Sequence, residues 1–212
     1  WESLAQSESH LFIGDIGNNN GNRNDLVIYK VAWSEILSSS QVSAEKIYYK
    51  YEDQTDFSGQ ENGHNFDAEA LVFANGALHL FSKNRGDRRT KHYLIPDQSG
   101  NHSVAPLEDF DAKGLITGAD FDPASNNLVL LGYTVQGINS KSFLWLISDI
   151  QSNLFFLNEK KRLDLGSPAF LGQTEGISFS SGSMINLSSE RFDQGGFSVD
   201  QRLMKMDLLG LF

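Results

Sequence analysis

An all-β chain of the β-propeller class is what three observations in this sequence predict. Four stretches open alike: "ESLAQ" from Glu2, "EALVF" from Glu69, "TGADF" from Thr117 and "EGISF" from Glu175. Each is followed by a polar turn and a second apolar run that closes on a small residue. Those residues, Gly14, Ser82, Gly132 and Ser188, stand 12, 13, 15 and 13 positions after the openings. The openings themselves recur at intervals of 67, 48 and 58 residues. A repeat of that length, built from short β-branched and aromatic runs, matches a four-stranded blade that buries its faces only against neighbouring blades. A β-sandwich would not require a shared opening.

The first blade, 1–56, adds "DLVIYKV" from Asp25 and "KIYYKY" from Lys46 as third and fourth strands. The second, 66–112, adds "TKHYLI" from Thr90 and "SVAPLEDF" from Ser103, and the third, 115–166, adds "SFLWLI" from Ser142 and "KKRLDL" from Lys160. The fourth, 173–212, has only a third run, "RLMKM" from Arg202, so it lacks its outer strand. The whole of 1–212 reads as one antiparallel propeller domain; four blades can form a propeller, and the abrupt ends point equally to sequence preceding Trp1. "ANGA" at Asn75 and Gly76 predicts a type I′ hairpin, because that turn needs positive φ at both central residues. "WSEIL" from Trp33 and "SDIQSN" from Ser148 are expected to be short helical turns.

With 17 basic and 27 acidic residues the net charge is −10, which argues against nucleic acid or an anionic membrane surface as partner. There is no cysteine, so disulfides, thiolate metal sites and cysteine nucleophiles are excluded. No apolar run approaches the roughly 18 residues of a membrane span. No GxSxG, Walker, GxGxxG or HExxH pattern occurs, so no nucleophile and no organic cofactor is indicated.

In a propeller the loops entering the innermost strands and those joining second to third strands open on one face. Repeat position therefore predicts that Glu2, Glu69, Thr117 and Glu175 ring a channel mouth. Asp15, Lys83, Asn84, Tyr133, Glu190 and Arg191 are expected on the same rim. Carboxylates and amide oxygens gathered in this way suit a hard cation such as Ca²⁺. The alternative is that these residues hydrogen-bond backbone amides of the next blade. Asp120 is the acid nearest to Thr117, which occupies the acidic register of the third blade. "GHNFDAEA" brings His64, Asn65 and Asp67 toward the rim, and His64 is a candidate general base. His79 alternates with leucines on a strand and reads as structural. In "SKNRGDRRTKH", Lys83, Arg85, Arg88 and Arg89 either clamp an anionic group or are solvated loop charges. The candidates for catalysis are thus His64, Lys83, Arg85 and Arg191.

"GDIGNNNGNRND", from Gly14, fails as an EF-hand: counted from Asp15, the sixth position is Asn20 and no glutamate stands at the twelfth. It reads as a wide hairpin in which Asn20 and Gly21 supply positive φ, with Asp15 and Asn18 nearest the rim.

Together "WESLAQ", "FIGDIGNNNGNR", "HNFDAEAL", "LITGADFDP", "LLGY", "GQTEGISF" and "SSER" resemble a group of secreted bacterial β-propellers. That group is similar to the domain called esterase-like activity of phytase and to the SdiA-regulated propellers. The resemblance implies a ring of five or six blades, export to the periplasm, cell surface or medium, and calcium at the channel mouth, with Glu2, Asp15, Glu69 and Glu175 as metal ligands. The expected function is binding of a cation and a small-molecule, glycan or protein ligand there. The alternatives are a cation-dependent esterase or phosphatase and a non-catalytic interaction scaffold.

Overall fold

The computed structural model describes residues 1–61, 63–135, 139–194 and 196–212. The fold is all-β and of the β-propeller class, with four blades. Contacts group the chain into two compact units with two blades in each, Trp1–Asp87 with Lys91–Asp109, and Arg88–Thr90 with Phe110–Phe212.

In unit 1, β1 (Ser3–Gln6), β2 (His10–Asp15), β3 (Val27–Ala32) and β4 (Glu45–Tyr51) form the first blade in chain order. The expected helical turn after β3 is α1 (Trp33–Ser38), whose Trp33 Nε1 donates to Ser7 O at 3.1 Å. The second blade begins with β5 (Asp67–Ala74), β6 (Ala77–Lys83) and β7 (Thr90–Ile95). Asn75 and Gly76, with φ of 49° and 78°, make the expected tight turn between β5 and β6.

The fourth run of the second blade departs from expectation. It divides into β8 (Gly100–Val104), which pairs parallel with β4 of the first blade, and β9 (Pro106–Phe110), which completes the second. Pro106 accounts for the break, since it has no N–H to continue a ladder and fits only at a strand start or edge. The first blade is therefore five-stranded and not wholly antiparallel.

Unit 2 holds the third blade, β10 (Leu115–Asp122), β11 (Asn127–Tyr133), β12 (Ser142–Ile147) and β13 (Lys160–Gly166). "SDIQSN" is not helical: Asp149 takes a positive φ of 54° and Ile150 N donates to Asn126 O at 2.9 Å, tying the segment to the β10–β11 turn. The helical turn lies later, at α2 (Pro168–Leu171), with Ser167 as N-cap and Pro168 in its first turn. The fourth blade comprises β14 (Gln173–Ser181), β15 (Met184–Glu190) and, beyond an unanticipated hairpin of β16 (Phe192–Gln194) and β17 (Phe197–Val199), β18 (Arg202–Asp207). As expected, this blade has three strands.

Each unit has its own core. Phe12, Ile28, Ile47, Leu71, Leu80 and Tyr93 are among the buried residues of unit 1, and Phe12 stacks on Phe73 with centroids 5.3 Å apart. Val129, Leu131, Leu144, Leu146, Ile185 and Leu187 fill unit 2. β6 and β11 are buried along almost their whole length, which is why "LHLF" and "LVLLGY" read as continuous runs with little polar alternation.

The repeated opening encodes a β-bulge. Pairing with the second strand slips between Ala68 and Ala70, between Ile116 and Gly118, and between Thr174 and Gly176. The residue left over in each blade is Glu69, Thr117 or Glu175, the position that defined the repeat. A bulge turns its extra residue out of the ladder and sharpens the local twist. In the first blade the ladder is regular and Glu2 stands just before it, donating its N–H to Gly14 O at 3.0 Å. In the first and third blades the small residue after the opening faces the next inner strand of the same unit. A Cβ on Gly118 would lie 3.0 Å from Glu175 O, and the Ser3 hydroxyl accepts from Leu71 N at 3.2 Å. Gly132 is tighter still, because a Cβ there would press on the Leu115 carbonyl oxygen and the Phe143 ring. Gly132→Ala is expected to cost about 1–3 kcal/mol by overpacking, read as a lower urea midpoint with unchanged slope; an unaltered midpoint would refute this packing account.

Candidate functional site

In unit 1 the expected rim residues meet, but as pairs that neutralise one another. Asp67, fully buried, accepts from Asn18 N at 2.7 Å and Ala68 N at 3.0 Å through one oxygen, and from Arg85 at 2.9 Å through the other. Glu69, the bulge residue, accepts from Lys83 Nζ at 2.6 Å and lies 3.9 Å from Arg85. Lys83 and Arg85 have side chains only 3% and 8% exposed, so they are not solvated loop charges. Their charges are spent on the two acids beside them.

The asparagine loop packs onto the second blade. Asn18, buried, donates from its side chain to Phe66 O at 3.1 Å and accepts from Arg23 N at 2.9 Å. Arg23 in turn donates to Asp15 at 2.7 Å, Gly17 O at 2.9 Å and Asp25 at 2.8 Å. The hydrogen bond to Asp15 is the main cause that holds the Arg23 guanidinium above its ordinary pKa, against desolvation. Asn19 accepts from Arg85. Gly21 alone of the expected pair has positive φ, 70°, and a Cβ there would also strike the His64 ring. Glu2 lies with its carboxyl over Gly17.

His64 has both ring nitrogens engaged. Nε2 lies 2.9 Å from Asn19 O, to which it must donate, and Nδ1 accepts from Phe66 N at 3.1 Å. No lone pair remains for a general base. Asn84, buried, donates to Asp87 at 3.0 Å and accepts from the Ser82 hydroxyl at 2.5 Å. Among the described residues no three His, Asp or Glu side chains gather as ligands for one metal ion. The donor set of unit 1 does not fit calcium, because Asp15, Asp67 and Glu69 already hold Arg23, Arg85 and Lys83.

In unit 2 the inner strands of the third and fourth blades are stapled by side chains. Thr117 Oγ1 donates to Thr174 O at 3.2 Å, and Asp120 accepts from Phe179 N at 2.6 Å and Phe121 N at 2.9 Å. Burial pushes the Asp120 carboxyl up to about 6, although the two backbone N–H groups pull it down. Glu175, the bulge residue here, accepts from Gln173 Nε2 at 2.5 Å.

Between these staples and the β15–β16 segment lies a cavity of about 470 Å³. Tyr133 and Arg191, two of the expected rim residues, line it together with Ser140, Ser142, Gln173 and Thr174. Phe192, Asp193 and Gln194 form its β16 side, and Val135, Pro168 and Gly172 complete the wall. Glu190 immediately precedes Arg191 at the end of β15 and is exposed. Ser142 and Thr174 share a hydroxyl hydrogen bond of 2.8 Å, and Arg191 donates to Asp193 at 2.7 Å. Ser140, 6% exposed, stands on the same wall.

Sequence reasoning did not single out Arg23, Ser140, Ser142, Gln173 or Thr174. Ser140 and Ser142 stand at the entry to a third strand and Gln173 and Thr174 at the entry to an inner one, so applying the rim rule to every loop would have found them. It also missed a buried chain in the second blade. His79 Nε2 meets Ala74 O at 3.0 Å, its Nδ1 meets His92 Nε2 at 2.8 Å, and His92 Nδ1 meets Glu108 at 2.8 Å. The structural reading of His79 agrees with this. No family model and no curated protein matches the sequence.

Proposed function

We propose that this chain is an exported β-propeller that binds a small polar ligand in the cavity of unit 2 and does not transform it. Export rests on the resemblance to secreted bacterial propellers. Binding rests on one observation: a cavity of about 470 Å³, within the size range of small-molecule sites, whose wall gathers the polar side chains of Ser140, Ser142, Gln173 and Thr174. A concave wall on which a few polar side chains converge is the usual form of a small-molecule site.

The cation-dependent esterase or phosphatase reading has less support, since the acids and bases of unit 1 are mutually paired and His64 has no free nitrogen. A small-molecule screen read by thermal denaturation tests the proposal. A ligand at a hundred times its Kd is expected to stabilise the protein by about 2.7 kcal/mol, and Ser140→Phe, which fills the cavity, should abolish that shift. A chelator is expected to leave the melting temperature within about 1 °C of its starting value. Turnover of esters or phosphates that depends on added Ca²⁺ would overturn the binding-only reading.

A further inference from the structure

We infer that the ligand of the unit 2 cavity is a neutral polyhydroxylated compound, a sugar or sugar-like polyol; this rests on the cavity being the binding site. Charge is the first argument. The charged side chains on the wall are Arg191 and Asp193, and they are joined to each other at 2.7 Å. Both are 58% exposed, so neither is a desolvated charge awaiting a counterion. A phosphate or carboxylate would have to take Arg191 from Asp193, and an ammonium group would have to take Asp193 from Arg191. Each exchange gains little in a site open to water.

The second argument is the proton inventory of the wall. Ser142 and Thr174 bring two hydroxyl protons and use one in their mutual bond, which leaves one donor and several lone pairs. Gln173 spends an amide N–H on Glu175 and keeps its carbonyl oxygen as an acceptor. Ser140 adds a third hydroxyl to the wall, a group that can both donate and accept. A wall of groups that both donate and accept is matched by a ligand whose own groups do the same, as vicinal hydroxyls do. The third argument is the apolar share. Phe192, Pro168 and Val135 give carbon surface against which the C–H face of a sugar ring can lie, without enough of it for a hydrophobic ligand.

The test is titration calorimetry with neutral mono- and disaccharides, sugar phosphates, uronic acids and aminosugars. Neutral sugars are expected to bind with an affinity that added salt does not change. Ser140→Ala and Gln173→Ala should each weaken binding about three- to tenfold, the worth of one neutral hydrogen bond. Melting temperatures of both variants serve as the folding control, and either one suffices for the comparison. Preference for the phosphates, uronates or aminosugars, or binding that falls steeply with salt, would overturn the polyol inference while leaving the cavity as the site. Small-molecule binding that Ser140→Phe leaves intact would overturn the cavity itself, and this inference with it.

Discussion

Asp67→Ala is expected to destabilise the protein by about 3–5 kcal/mol, because it leaves a buried cation without its partner. The Arg85 side chain is 8% exposed and its bond to Asp67 is 2.9 Å, whereas its next acid, Glu69, is 3.9 Å away and already holds Lys83. The same substitution strips Asn18 N and Ala68 N of their acceptor and so frees the asparagine loop from the second blade. For a chain of this size that loss corresponds to a fall of roughly 10 °C in melting temperature. Asp25→Ala is the control. Asp25 also bonds an arginine, at 2.8 Å, but its side chain is 71% exposed, and exposed pairs contribute about 0–1 kcal/mol. Equal melting temperatures for the two variants would show that burial does not set the worth of these pairs.

The second large effect is a pair of opposed acid responses. His79 donates Nε2–H to Ala74 O, so the neutral ring accepts at Nδ1 from His92. Burial, with the neighbouring His92 as a lesser cause, lowers its pKa from 6.5 to about 3. The unfolded chain therefore takes up the proton first, and stability falls as pH drops below the unfolded value, by about 2 kcal/mol between pH 7 and pH 5. Asp120 runs the other way. Its folded pKa is raised from 3.8 to about 6, so the folded state binds the proton first and gains about 1 kcal/mol over the same interval. In a single cooperative transition the gain offsets about half of the loss, and the parent protein loses about 1 kcal/mol over the interval. Asp120→Asn should expose the loss, and His79→Gln the gain, in denaturant midpoints at the two pH values. Identical pH slopes in all three proteins would rule out both assignments.

Much of the fold is legible because it is carried by local chemistry. The bulge sits at Glu69, Thr117 and Glu175, with a small residue following, and this writes itself into the sequence as a repeated opening. The Asn75–Gly76 turn is legible for the same reason. Less local features are not. "SVAPLEDF" looks like one strand because nothing in Gly100–Val104 announces a parallel partner 53 residues earlier, where Ile47 pairs with Gly100. The site follows the same division. The repeat places Tyr133 and Arg191 at one cavity, but it cannot show that Arg23, Lys83 and Arg85 have turned their charges onto Asp15, Glu69 and Asp67. Counting acids at strand starts reveals a cation site only when the bases lie elsewhere.

The loan of β8 to the first blade also bears on self-association. Without it, the row of N–H and C=O groups along β4 would be an open template for a strand from another molecule. With it, the outermost strand is five residues long, begins at Gly100 with φ of 137°, carries Asn101, His102 and Ser103, and is followed within two residues by Pro106. A short polar edge bounded in this way offers little for an intruding chain to extend. The residues that interrupt the regular blade pattern thus also blunt this edge of the first blade.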